Sequence, residues 1–320
     1  MSRFGEILAF LRAGRGYVSG DYIAGQMKIS RTAVWKYIKQ LEDLGYKMEK
    51  TRGKGYRVKS VPDRLFPWEI ESHLETVSIG RDIVYRDSVE STNSLAYSLA
   101  LQDAPEGTVV VAEAQRVGKG RLQRRWFSPY AKNLYISIVL RPQLHPSRVY
   151  PLTFVSSLAV FDTLAALGVE PQLKWPNDVL VKGKKICGTL TELSTEADAV
   201  RFVVVGIGLN VNMKRTELAE EIRTVATSLA METKKTFERS QVCGMLLTNM
   251  EKYYGLIEDH GTEEICRIWE DRSNIKGRTL EIVQVDRVYR GVSEGIDHDG
   301  GLLLNVAGKV TKIIAGDVSV

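Results

Sequence analysis

Apolar positions along the first 60 residues change from a helical period to an alternating one. "FGEILAFLRAG" places Phe4, Ile7, Leu8 and Leu11 on one helix face and stops at Gly14. "SGDYIAGQMKIS" predicts a short second helix opened by Ser19. Ser30 opens a third, in which Val34, Ile38 and Leu41 form one stripe and Gly45 ends the run. "YKMEKTRGKGYRV" reads as two strand-like pieces around the glycines of "RGKG", and "SVPDRLFPWEI", with prolines at 62 and 67, reads as a linker. From about residue 80 strands alternate with helices. "DIVYRDSVEST" is a strand entering a turn, "NSLAYSLALQD" a helix, "GTVVVAEAQ" a short buried strand, "NLYISIVLRP" another, and "PLTFVSSLAVFDTLAALG" a long helix. The last stretch, from "NIKGRTLEIVQV" onward, alternates in about five brief runs separated by "DHDGG" and "AGK".

These shifts divide the chain into residues 1–62, 63–272 and 273–320, an α+β multidomain protein. A helix, a tight turn, a longer basic helix and a small β-wing resemble a winged helix-turn-helix. The central part is a mixed α/β domain, and the C-terminal strands predict a small SH3-like β-barrel.

Charge sharpens the first module. Residues 1–60 hold 13 Lys+Arg against 5 Asp+Glu, whereas the chain as a whole carries only +5. The surplus predicts a polyanionic partner for this module alone. With the Val34 stripe turned inward, Thr32, Trp35, Lys36 and Lys39 face outward. Together with Ser30 and Arg31 at the helix start, and Arg52 and Lys54 in the wing, they form the candidate DNA-binding set. Basic side chains of this kind mostly contact phosphate, which positions a protein without reading bases.

Composition removes several classes. No run is expected to reach the length of a bilayer span, and Arg3 and Glu6 stand where a signal peptide needs apolar residues, so a cytoplasmic protein without a membrane partner is expected. Cys187, Cys243 and Cys266 are odd in number and far apart, which suggests neither a disulfide framework nor a CxxC site, and four scattered histidines give no zinc spacing.

The candidate chemistry sits in the central part. "GKGRLQRRWFSP" (118–129) follows a buried strand, where glycines let backbone amides approach a phosphate closely. It lacks the GK[ST] ending of a Walker loop and the third glycine of a dinucleotide fingerprint, and an exposed basic turn is the competing reading. Three further segments join it: "DSVESTN" (87–93), "KWPNDVLVKGKKICGTLTE" (174–192) and "VVVGIGLNVN" (203–212).

In their order and spacing, "ESTN", "GKGRLQRRWFSP", "KWPND", "KKICG" and "GIGLNVN" resemble the biotin protein ligases. With the winged N-terminus the whole chain is similar to the bifunctional ligases that also repress the biotin operon. The resemblance implies a central domain of the class II synthetase-like type. It also implies a two-step reaction in which biotin and MgATP give biotinyl-5'-AMP and pyrophosphate, and biotin then passes to a lysine of a biotin carboxyl carrier protein. Such a site needs preorganised cations and amide donors more than a nucleophile of its own.

By the same resemblance Ser91, Thr92, Asn93 and Gln115 belong to the biotin site with Gly188, and Ser91 and Thr92 are also natural helix caps. Lys119 and Arg121, flanked by Gly118 and Gly120, are implied at the carboxylate and phosphate. Lys119 replaces an arginine of the family's usual GRGR loop, which keeps the charge and loses the bidentate fork. Trp126 walls the adenylate pocket or packs in the core. Lys185 is the preferred catalytic cation, its alternative being an ordinary basic hairpin. Asn177 and Asn210 are implied at the adenylate. Asp178 either binds magnesium or helps accept a proton from the acceptor amine, and "MKRTELAEEIRTVATSL" is expected to order over ATP. A homodimer that forms on adenylate binding and then grips operator DNA is the implied regulatory partner state. A ligand-sensing repressor without ligase activity, a lipoate-protein ligase and a ligase that no longer represses are the other readings.

Overall fold

The computed structural model describes residues 2–14, 16–196, 198–284 and 287–319. The first module forms α1 (Arg3–Ala13), α2 (Gly20–Met27), α3 (Arg31–Asp43) and a hairpin of β1 (Lys47–Thr51) and β2 (Gly55–Ser60). Ser2, Ser19 and Ser30 cap the three helices with their hydroxyls, and Ile7, Leu8, Leu11, Ile23, Val34, Ile38 and Leu41 close a fully buried core. Val18 exchanges both backbone hydrogen bonds with Tyr56, which ties the wing to the helices. Only glycine fits at Gly55, where φ is +108° and a Cβ would run into the carbonyl of Val18.

The end of the stretch read as a linker is helical, α4 (Pro67–Glu71), because Phe66 and Ile70 are buried; then come β3 (Ile83–Arg86), α5 (Thr92–Leu101), β4 (Val109–Ala112), β5 (Leu134–Leu140), α6 (Leu152–Ala166), β6 (Pro171–Lys174), β7 (Asp178–Val181), β8 (Lys184–Glu196) and β9 (Ala199–Leu209). The strands form one seven-stranded sheet in the order β3-β4-β5-β9-β8-β7-β6, parallel only between β3 and β4. Alternation in β9 shows how the sheet is sandwiched. Val203, Val205, Ile207 and Leu209 enter the main core, while Phe202 and Val204 pack under α5 with Ala96 and Ala100. Residues Pro146–Ala166 are long and apolar enough to cross a bilayer by length and composition, which corrects the expectation that no run reaches that length. The stretch is mostly buried and serves as the core helix of this layer.

Beyond the sheet lie α7 (Leu229–Thr233), α8 (Arg239–His260) and α9 (Thr262–Ser273), and none of them was named from the sequence. The signal was present in α8, where Val242, Cys243, Leu246, Leu247, Met250, Tyr253, Tyr254 and Ile257 recur at helical spacing and are all buried. Glu251, on the outer face of α8, accepts backbone N–H bonds from Val77, Ser78 and Ile79 at 2.6–2.8 Å. Burial alone would raise its carboxyl, but these donors hold it below the usual glutamate range. Its stabilising contribution is therefore complete above the unfolded-state value near ~4.3 and is lost as pH falls through the folded value. Urea unfolding followed at falling pH should show Glu251→Gln losing part of the acid sensitivity of the parent, and parallel curves would remove Glu251 from the acid transition.

The C-terminal residues fold as β10 (Thr279–Val283), β11 (Val288–Ile296), β12 (Leu302–Val306), β13 (Lys309–Ile313) and β14 (Asp317–Ser319), an all-antiparallel sheet in the order β13-β12-β11-β10-β14 consistent with the SH3-like expectation. The Trp175 indole donates to Gly300 O at 3.1 Å and joins this sheet to the central one.

Two buried carboxylates join the remaining parts. Glu69 of α4, 1% exposed, takes Arg12 of α1 at 2.6 Å and the Tyr46 hydroxyl at 2.5 Å. Burial and this carboxylate raise the Tyr46 phenol far above its ordinary value, so it stays protonated, donating to Glu69 while it accepts from the Trp68 indole at 2.8 Å. Glu113, at the end of β4, accepts from Leu65 N at 2.8 Å and pairs with Arg64 at 3.3 Å and Arg239 at 2.8 Å. Arg239, fully buried, also binds Asp63 Oδ2 at 3.1 Å and the carbonyls of Asp63 and Asn133.

Candidate active site and nucleic-acid interface

The sheet carries a cavity floored by Gly188 of β8 and Gly206 and Gly208 of β9. A Cβ on Gly208 would fall 2.5 Å from the Trp126 indole, one on Gly188 would fall 2.9 Å from Lys185 Cε, and one on Gly206 would overlap Asn93 Oδ1. Glycine in "GIGLN" thus lowers the floor so that flat groups can lie on the strands.

At one end stands the α5 N-terminus. Ser91 caps it, accepting from Ser94 N at 3.5 Å. Gln115 Oε1 accepts from Thr92 N and Thr92 Oγ1 at 2.9 and 3.1 Å, while Gln115 Nε2 donates to Ser128 Oγ at 3.0 Å. The Asn93 amide is held within the protein, its Nδ2 on Glu192 at 2.8 Å and its Oδ1 on Ser137 at 2.5 Å. Ser137 Oγ, 2.9 Å from Thr92 Oγ1, joins the Thr92–Gln115 pair to Asn93 in one hydrogen-bonded cluster, with Ser91 beside it on the cavity wall.

The basic loop covers the cavity. Gly118 stands behind the wall, where its carbonyl accepts from Trp126 N at 2.9 Å and a Cβ would lie 2.5 Å from Trp126 O. Lys119, Gly120 and Arg121 line the opening, and Gly120 N donates to Arg124 O at 2.7 Å to close the turn. Arg121 reaches across to Asn177 Oδ1 at 3.1 Å. Trp126 lies on the glycine floor with Lys185 Nζ 5.4 Å above its ring, and its indole N–H is buried without a hydrogen-bond partner among the described residues.

Lys185 Nζ is 2.6 Å from Asp178 Oδ1, across the β7–β8 pair. Asn177 is anchored below by Nδ2 donating to Thr189 O at 2.6 Å. Asn210 also lines the cavity, but its amide is spent on Asn133 at 3.1 Å and Thr227 O at 2.9 Å. Cys187, between Lys185 and Gly188, is fully buried, and burial pushes its thiol far up, so it is no nucleophile. Ile222, Val225 and Ala226 of the segment after β9 complete the wall, Lys185 N donating to Val225 O at 2.8 Å. Sequence reading missed Arg124 and Asp317, which pair across the cavity mouth. No local signal announces Asp317, because it arrives from β14, nearly 200 residues further along the chain.

The second surface is on α3. Ser30 is its cap, accepting from Ala33 N at 3.1 Å, and Thr32, Trp35, Lys36 and Lys39 are exposed on the outward side. Arg52 and Lys54 project at the wing turn, and Arg31 lies 3.6 Å from Asp21. The module's carboxylates Glu42 and Glu49 are taken by Lys50, Arg57 and Lys59. Among the described residues Lys36, Lys39, Arg52 and Lys54 have no carboxylate partner, which leaves a cationic face open to a polyanion.

Comparison with known proteins agrees with both surfaces. Residues 85–210 match the model of the biotin/lipoate A/B protein ligase family and residues 5–57 that of an HTH domain. The bifunctional ligase/repressor BirA of Bacillus subtilis (strain 168) is 37% identical over 97% of this chain and 95% of its own length. That of Escherichia coli (strain K12) is 28% identical over 98% and 96%. Among solved structures, the biotin protein ligase from Aquifex aeolicus in complex with biotin and ATP superposes with a TM-score of 0.64 at 29% identity, over 75% of this chain and 98% of that one. The chain, with its ligase cavity and its winged module together, belongs to the family of bifunctional biotin ligase/repressors.

Proposed function

We propose that this protein activates biotin with ATP, transfers it to a lysine of a biotin carboxyl carrier protein, and represses transcription through its winged module. The observation that carries the enzymatic half is the convergence of Lys185, Asp178, Arg121 and the glycine floor in one cavity. We assign residues 1–62 to DNA binding, 63–272 to catalysis and 273–320 to the SH3-like domain.

In this reading Ser91, Thr92 and Gln115 receive the ureido head of biotin, exchanging part of their mutual hydrogen bonding for ligand bonds, while Asn93 shapes that end of the floor. Biotin's carboxylate attacks the α-phosphorus and pyrophosphate leaves. Lys185, Arg121 and Lys119 offset the repulsion between carboxylate and phosphate, with the Gly118 and Gly120 backbone holding the loop that brings them there. Asn177 fixes Arg121, Trp126 walls the adenylate, and Asn210 holds the strand end beneath it. In the second step the acceptor amine attacks the activated carbonyl and AMP leaves. Asp178, with one oxygen on Lys185, has its second oxygen left for a magnesium ion brought by ATP. A single carboxylate suits a cation that is mostly held by phosphates and water, and no cluster of three His, Cys, Asp or Glu exists among the described residues.

Beyond Thr189, which is still tied to Asn177, the strand β8 continues through residues 190–196, where among the described residues its ladder partner is β9 alone. That open edge supports the reading of an adenylate-dependent homodimer, since strand pairing across a two-fold axis would satisfy it. Three free, buried cysteines suit the reducing conditions of the cytoplasm.

The test mixes the purified chain with MgATP, biotin and a biotin-carrier domain and follows label on the acceptor lysine, with lipoate in parallel. Transfer that needs every component is expected. Binding of biotin without transfer would leave a sensor, and transfer of lipoate alone would leave a lipoate ligase.

A further inference from the structure

We propose that Trp35 is the base-reading residue of α3, and that it recognises a thymine through its 5-methyl group. The inference rests on the repressor reading above and specifies what the open face of the winged module reads.

Most large aromatics of this part of the chain find each other, and Tyr17 is held by Arg57 over its ring and by Glu49 at its hydroxyl. Phe4 packs on Tyr37 and Trp68, Phe66 on Tyr46 and Trp68, and even exposed Tyr22 meets Phe10 edge-on at 6.0 Å. Trp35 differs. It is 47% exposed, and among the described residues it has neither a ring contact nor a hydrogen bond. A single exposed apolar residue needs no explanation by itself, but the position of this one is informative. It is the fifth residue of α3, within the N-terminal turns through which a recognition helix reaches base edges. Arg31 and Thr32 precede it by one turn and Lys39 follows by one turn, so helical spacing puts it on the flank of the cationic face.

The neighbours divide the labour. Lys36, Lys39, Arg52 and Lys54 supply charge, which binds any duplex in a salt-dependent way. Trp35 is the large apolar surface among them. In the major groove the base-edge feature that rewards apolar contact is the thymine methyl, absent from cytosine and from uracil.

The experiment uses the full chain with biotin and MgATP and selects from a randomised duplex pool. Wild type is expected to enrich a motif with a thymine-requiring position, and Trp35→Ala to flatten that position alone while affinity for the selected duplex falls about tenfold. Trp35→Phe should keep part of the preference, and Lys36→Ala should weaken all duplexes alike. Replacing that thymine by uracil should weaken wild type by a similar factor and Trp35→Ala no further, because the two changes remove the same contact. An unchanged motif in Trp35→Ala, or an equal uracil penalty in both proteins, overturns the proposal and leaves the repressor reading standing. No enrichment by wild type overturns the repressor reading and the proposal with it.

Discussion

Lys185→Ala should lower biotin-dependent pyrophosphate release by about 10²–10³-fold, the range for removing one preorganised donor from a developing charge. The geometry explains why little else is expected to compensate. Lys185 Nζ is fixed by Asp178 at 2.6 Å and stands over the Trp126 ring, while Arg121 is held 3.1 Å from the neighbouring Asn177. A neutral side chain at 185 leaves Asp178 facing the phosphates without its counter-charge, so repulsion adds to the lost attraction. Lys185→Arg should recover only part of the rate, because a guanidinium spreads over a larger plane the charge that the ammonium concentrates beside one carboxylate oxygen. Circular dichroism should stay unchanged, since both partners lie at the cavity surface. Near-wild-type turnover would take Lys185 out of the catalytic role.

Arg239→Ala should destabilise by about 3–5 kcal/mol, because it leaves Glu113 Oε2 buried without its counter-charge while Arg64 and Leu65 N hold only Oε1. Both partners of the Arg239–Glu113 pair are completely buried, and Arg239 also ties Asp63 of the linker to the start of α8. A drop in the thermal midpoint of about 10 °C is expected. Adding Glu113→Gln should restore part of it by removing the stranded charge, and a loss below about 1 kcal/mol would show that water reaches the site.

The winged module was legible because its elements are local. Serine caps, a Val34/Ile38/Leu41 stripe and a glycine hairpin each announce themselves within a few residues. In the central sheet β3, β4, β5 and β9 were legible as short apolar runs and the loop at 118–129 as a glycine-rich basic segment, whereas β6, β7 and β8, partly polar and interrupted by turns, were not named. What could not be read was order in space. Nothing local says that β9 lies between β5 and β8, or that Trp126 folds back onto Gly208. The helices α8 and α9 were missed although α8 carries a helical stripe, since neither opens with a side-chain cap that marks its start. Asn93 and Asn210 stand where the motifs put them, yet their amides serve the protein's own bonding, a distinction only side-chain geometry reveals.

The pairing of Arg124 with Asp317 has a practical side. Anyone trimming this enzyme into a smaller labelling tool would be tempted to stop after α9, where the catalytic sheet is already complete. Such a cut would remove the β14 carboxylate that steadies the covering loop and the Gly300 carbonyl that takes the Trp175 indole. The shortened tool would lose part of its cavity wall, so the last strand belongs to the pocket and is no dispensable tail.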